Sequence, residues 1–178
     1  MSWAGPSVAQ ATVLVEVPID DMIADADAIA VAQVAHVGTR LVLRQDGELE
    51  PWTATTLRVE RWLGGGAGTT VVVHERGGLW QGGGMRIAGT PEYHPGERVV
   101  VFLRLDETGR YRTYGMVQGK FVIRAGVAGV LTTVERDFTE VAFATWSSSG
   151  MVVQPRGAQP LPLDLLLERI RYVLEVSP

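Results

Sequence analysis

The sequence predicts a mainly β fold: a small barrel of five or six strands, with a short helix near its N-terminal end and a second helix at its C-terminal end. Three observations carry this expectation. Runs rich in Val and Ile recur at strand length, and these residues favour a pleated, half-buried surface. The chain holds 21 glycines against a background of roughly 7%, and they cluster between those runs as turns do. Helical spacing of apolar residues shows only near the two ends, and no repeat period points to a solenoid or propeller.

Residues Thr12 to Val17 alternate weakly and fit a short strand or an extended arm that Pro18 ends. Asp20 or Asp21 fits a helix N-cap, because a carboxylate accepts free amide protons of the first turn. Met22, Ile23 and Ala26 then lie at helical spacing, which predicts a short helix from Asp21 to Asp27. From Ala28 the pattern becomes a strand. Ile29, Val31, Gln33, Ala35 and Val37 fall on one face and Ala30, Ala32, Val34 and His36 on the other, with Gly38 as a bend or bulge before Leu41 to Leu43. Gln45-Asp46-Gly47-Glu48 supplies turn chemistry and leads to a second strand, Thr53 to Trp62.

Gly64 to Gly68 turns into a third strand, Thr69 to His74, and Gly77 to Gly89 reads as a glycine-rich loop. Pro95-Gly96 introduces Arg98 to Leu105, the most apolar run and the expected central strand. Asp106 to Gly109 turns into Tyr111 to Met116, which Phe121 to Ile123 continues, and Gly126 to Gly129 connects onward to Val130 to Val134. Phe138 to Trp146 reads as another strand, followed by a Ser- and Pro-rich link from Ser147 to Pro162. A last helix starts after Pro162 with Asp164 as its cap. Its stripe of Leu166, Leu167, Ile170, Val173 and Leu174 is expected to dock on the barrel wall, with a partner-binding role as the alternative.

Composition bounds the function. A chain of 178 residues fits one domain, here residues 12–178, with residues 1–11 as a tail or the remnant of a signal peptide. No apolar run approaches the ~18 residues of a membrane span, so no membrane span is expected. A net charge of −4 argues against non-specific nucleic-acid binding, which needs basic groups to neutralise phosphates. Cysteine is absent, which removes disulfides, thiolate metal sites and thiol nucleophiles together. Ala9-Gln10-Ala11 has the small-x-small form of a signal-peptidase site, although the basic and apolar regions that precede such a site are missing and an Ala-rich chain also meets the pattern by chance.

Ala26-Asp27-Ala28-Ile29-Ala30-Val31-Ala32-Gln33-Val34 resembles the opening of netrin-like domains, among them the tissue inhibitors of metalloproteinases. Thr56-Leu57-Arg58-Val59-Glu60-Arg61-Trp62-Leu63-Gly64 looks like their next strand, with Leu63 where their pattern has lysine. Gly96-Glu97-Arg98-Val99-Val100-Val101-Phe102-Leu103 is similar to a later strand. A group of exported bacterial proteins of unassigned function shows the nearer pattern. Its glycine- and proline-rich stretch before the Gly-Glu strand resembles Ala88-Gly89-Thr90-Pro91-Glu92-Tyr93-His94-Pro95-Gly96-Glu97. Its Y-x-V-x-G-x-x-Q-G-K-F run resembles Tyr111-Arg112-Thr113-Tyr114-Gly115-Met116-Val117-Gln118-Gly119-Lys120-Phe121. The resemblance implies an OB-like, five-stranded, closed or nearly closed barrel flanked by helices, and a periplasmic or secreted location. It transfers no activity: the metalloproteinase inhibitors bind their target's zinc through an N-terminal cysteine, which this chain lacks.

The chemistry-bearing residues give no catalytic constellation, so none is assigned and the chain is read as a non-enzyme. His36, His74 and His94 lack the spacing that places two ligands on one helix face, so neither metal nor cofactor is expected. Asp20, Asp21, Asp25 and Asp27 do not form a calcium loop. Gly64 to Gly68 and Gly82 to Gly84 lack the Lys and strand–helix setting of a phosphate loop, and Ser147 to Ser149 lack a nucleophile elbow. The candidate binding residues are Trp80, Met85, Ile87 and Tyr93 of the glycine-rich loop, since a loop aromatic contributes contact area at low entropy cost. Trp80 folded back as a barrel plug is the competing expectation. A binding module for protein or peptide is therefore expected, with an OB-type glycan binder as the alternative; single-stranded nucleic acid fits the acidic balance less well.

Overall fold

The computed structural model describes residues 12–126, 131–147, 150–155, 157 and 160–176, with no side-chain detail for residues 145–150. Ala9-Gln10-Ala11 and most of the Gly126 to Gly129 connection therefore lie outside the described residues. The chain runs as β1 (Thr12–Val15), α1 (Ile19–Asp25), β2 (Ala28–Leu43), β3 (Leu49–Gly65), β4 (Thr70–Arg76), β5 (Gly78–Trp80), β6 (Gly83–Met85) and β7 (Arg98–Leu105). It continues as β8 (Tyr111–Thr113), a 3-10 turn (Met116–Gly119), β9 (Lys120–Arg124), β10 (Thr133–Glu135), β11 (Val141–Ser147), β12 (Gly150–Pro155), β13 (Leu161–Pro162) and α2 (Leu163–Val176). The fold is mainly β with two helices, one short and early, one at the C-terminal end. No described helix is long and apolar enough to cross a membrane.

The main sheet has the order β13-β10-β9-β7-β2-β3-β4-β8, and β8 also pairs with β7. Strands β7, β2, β3, β4 and β8 thus form a partly closed ring. All its ladders are antiparallel except β4–β8, which is parallel with Val73 opposite Tyr111. Strands β1, β11 and β12 form a separate three-stranded sheet, whose Val141 and Phe143 cluster with Phe138.

Strand β7 is central because both of its faces are covered. Val99, Val101 and Leu103 enter the ring, while Val100 and Phe102 lie under the helices. Strand β2 divides in the same way, with Ala28, Ala30, Ala32 and Val34 inside the ring and Ile29 and Val31 outside. Helices α1 and α2 bury Met22, Ile23, Leu166 and Ile170 on that outer face, so the α2 stripe docks on the sheet. Phe102 and Phe121 add a ring contact there, with centroids 5.6 Å apart.

Several expected boundaries change. The β2–β3 register shifts between Ile29 and Ala30, Val31 and Ala32, and Val34 and His36. An extra residue in one strand reverses the period-two count, so Val37 packs with the interior cluster and not with Ile29 and Val31. All three shifts precede Gly38, and the one within β2 itself falls at Val34–His36. Phe121 to Ile123 do not continue β8: Gly115 at φ 64° and the 3-10 turn redirect the chain, so β8 pairs with one half of β7 and β9 with the other. The link after Ser147 contains β12 and β13. Helix α1 starts at Ile19 with Pro18 in the cap position and no side-chain cap. Asp20 instead accepts the Arg169 Nε–H from α2 at 2.7 Å. Asp27 accepts the Leu105 N–H at 2.8 Å, and Asp164 lies inside the first turn of α2.

The Gln118-Gly119-Lys120-Phe121 run acquires a structural reason at each position. Buried Gln118 accepts the Val17 N–H at 2.9 Å and donates to the Val15 carbonyl at 3.1 Å, tying the exit of β1 to the main sheet. A Cβ on Gly119 would stand 2.2 Å from the Tyr114 carbonyl oxygen, so no side chain fits. Lys120, the only lysine in the chain, ion-pairs with Glu97 at 2.7 Å, donates to the Glu92 carbonyl and lies over the Tyr93 ring. Burial lowers its pKa, against the pull of Glu97.

Candidate functional site: the mouth of the ring

Alternation along the strands explains the chemistry at one end of the ring. In β3, Leu57 is inside and Thr55 and Thr53 follow it in step; in β4, Val71 and Val73 are followed by Glu75. The apolar interior thus gives way to a polar layer. After the β2 bulge, Val37 and Thr39 join it, and these residues border a cavity of about 570 Å³. That volume falls within the range of roughly 300–1,000 Å³ usual for ligand pockets.

The polar layer is closely accounted for. Thr53 Oγ1 donates to the Gly77 carbonyl at 2.7 Å, so Thr39 is the donor in the Thr39–Thr53 hydroxyl contact of 3.1 Å. Glu75 accepts the Thr113 N–H at 2.8 Å and pairs with Arg112 at 3.2 Å. The Arg112 guanidinium is itself held over the Trp52 ring at 5.0 Å. Burial pushes the Glu75 carboxyl above its ordinary range, while the bonds from Thr113 and Arg112 pull it back in part. Tyr93 and Thr113 share a hydroxyl contact of 2.7 Å, and burial pushes the Tyr93 phenol far up. Thr55 is 1% exposed and borders the cavity, yet among the described residues its Oγ1 has no hydrogen-bond partner.

The glycine-rich loop forms the roof. It is not a plain loop, because β5 and β6 pair across Gln81 and Gly82, whose φ values of 44° and 82° are both positive as in a type I′ turn. Gly78, at φ 136°, seats the hairpin on the ring: a Cβ there would lie 2.3 Å from Thr53 Oγ1 and 2.6 Å from Thr39 Oγ1. Leu79, Met85, Ile87 and Pro91 supply apolar wall, and Leu79 is 84% exposed.

The four loop candidates divide. Met85 and Ile87 are half-buried and border the cavity. Tyr93 also borders it, but it is a core residue and not a loop-surface group; the ring interior accommodates its ring and the Lys120 cation covers it. Trp80 is half-buried and is not among the residues lining the cavity, so it does not plug this mouth. Leu79, Thr39, Thr53, Thr55 and Glu75 were not among the sequence candidates. The period-two step with Leu57 and Val73 was the available signal for Thr55 and Glu75.

The arginines and glutamates that line the mouth already have partners. Arg76 pairs with Glu50, which Trp52 also supports, and Arg86 lies between Glu140 and Glu92 at 2.7 and 3.2 Å. Among the described residues no three His, Cys, Asp or Glu side chains gather as metal ligands. A wider groove of about 690 Å³ between β3 and α2 is lined by charged residues including Arg61, Asp164, Glu168 and Arg171. Comparison with known proteins finds no matching family model, no matching curated protein and no matching solved structure.

Proposed function

We propose that this chain is an exported, non-enzymatic binding module with an OB-like, netrin-like barrel, and that it takes a protein or peptide segment at the barrel mouth. The supporting observation is the cavity of about 570 Å³ roofed by a hairpin that presents Leu79 to solvent at 84% exposure. An exposed leucine beside a walled opening suits an extended segment that lies along the hairpin and inserts one side chain. The ring of five strands, closed by a short parallel contact, supports the OB-like assignment. Export is supported by Ala9-Gln10-Ala11 and by the resemblance to exported bacterial proteins.

Glu75, Arg76 and Arg86 are engaged in structural ion pairs, and this supports binding over catalysis. The apolar walls favour an inserted side chain over a sugar. Selection from a random-peptide display library tests the proposal. Enriched peptides should bind wild type and lose about tenfold or more in affinity on Leu79→Ser, with an unchanged melting temperature. No enrichment over a barrel-free control would overturn it. Fractionation of cells carrying the native gene tests export separately.

A further inference from the structure

We propose that the side chain this cavity takes is that of tyrosine, an inference that rests on the peptide-binding reading above. It is carried by the proton inventory of the cavity floor. The Thr53 proton goes to the Gly77 carbonyl and the Thr39 proton goes to Thr53, so both of those donors are spent. Thr39 retains acceptor capacity, and Glu75 offers carboxyl oxygens. Thr55 keeps both its proton and its lone pairs unassigned at 1% exposure. Leaving such a buried group unmatched is unfavourable, so the floor favours a ligand atom that both donates and accepts.

The surrounding charges select a neutral group. Arg76, Arg86 and Arg112 are each paired with a glutamate, Glu75 among them, so these charges balance and a neutral side chain suits the mouth best. Above the floor Leu79, Met85, Ile87 and Pro91 supply the apolar part of the wall, which suits a polar atom carried at the end of an apolar body. Among the encoded side chains, serine and threonine are too short to cross these walls, and the amides carry their polarity on short stems. Tryptophan offers an N–H donor with no acceptor. Tyrosine presents a donor and an acceptor in one terminal oxygen beyond a rigid ring, which also suits contact with the Met85 thioether.

The test is an NMR titration of isotope-labelled protein with N-acetyl-L-tyrosinamide, N-acetyl-L-phenylalaninamide and N-acetyl-L-tryptophanamide. The tyrosine compound should shift the amides of Thr55, Glu75 and Leu79 saturably and bind on the order of tenfold tighter than the phenylalanine compound, the worth of one well-matched hydroxyl. Thr55→Val should abolish that preference, and Thr55→Ser, which keeps the hydroxyl, should retain it even if the valine variant does not fold. Equal binding of the three compounds, a preference for tryptophan, or loss of the preference in Thr55→Ser with the cavity intact would overturn the tyrosine assignment and leave peptide binding standing. No shift with any of them would also overturn it. Peptide binding itself is decided independently by the library selection with Leu79→Ser.

Discussion

The Glu75 carboxyl accepts the main-chain N–H of Thr113 at 2.8 Å and stands in for a ladder bond where the parallel β4–β8 pairing has only Val73 opposite Tyr111. A side chain thus completes the weakest seam of the ring. The same carboxyl borders the cavity, so ring closure and the chemistry of the mouth share one group.

Because burial raises the Glu75 pKa above its ordinary 4.5, the folded state holds its proton more tightly than the unfolded chain does. The stability this provides is complete below that ordinary value and is lost as pH rises through the raised one. Glu75→Gln keeps an acceptor for Thr113 and cannot titrate. In urea denaturation across the acid range, the variant should gain on wild type as pH rises above about 4.5 and hold a constant difference below it. A parallel pair of pH profiles would contradict this.

Glu97 and Lys120 form a pair in which the lysine side chain is 9% exposed and the carboxylate 16%. Removing the carboxylate strands the more buried charge. Glu97→Gln should therefore destabilise by about 2–4 kcal/mol and Lys120→Met by less, with the double variant recovering part of the loss. Chemical denaturation of the four proteins measures the coupling.

Gln118 satisfies Val17 N–H and Val15 carbonyl at once. Gln118→Leu should cost about 1–3 kcal/mol and speed hydrogen exchange at Val17, while the amides of β7 exchange at rates that follow only the global change. Uniform acceleration would mean that β1 is not held through this residue.

Leu79 and Trp80 are neighbours with opposed expected effects. Leu79→Ser should weaken a selected peptide strongly and leave stability unchanged, because this side chain is 84% exposed at the cavity. Trp80→Ala should change affinity little, since Trp80 does not border the cavity. Calorimetric titration and thermal melts of both variants separate the two.

Much of the frame was legible because local pattern and burial agree. Arg98 to Leu105 read as the central strand, and β7 spans Arg98–Leu105 with Val99 through Leu103 buried. The α2 stripe was legible from its helical period. Faces in β2 were not, because the extra residue between Val34 and His36 lies in β2 itself, reverses the count and leaves no local mark. The β5–β6 hairpin was hidden by Gln81 at a positive φ, a position usually marked by Asn, Asp or Gly. The site was harder to read, since Thr55 and Glu75 look like solvent-facing polar residues until the closure of the ring turns them inward.

The proposed peptide site lies at the mouth of the ring. Intermolecular NOEs between a library-selected peptide and methyl-labelled protein test it most directly. Contacts to Val37, Leu79, Met85 and Ile87 are the expected result. Contacts confined to the α2 groove around Leu167 and Leu174, or to Val13, Val15 and Val153 on the β1-β11-β12 sheet, would contradict it.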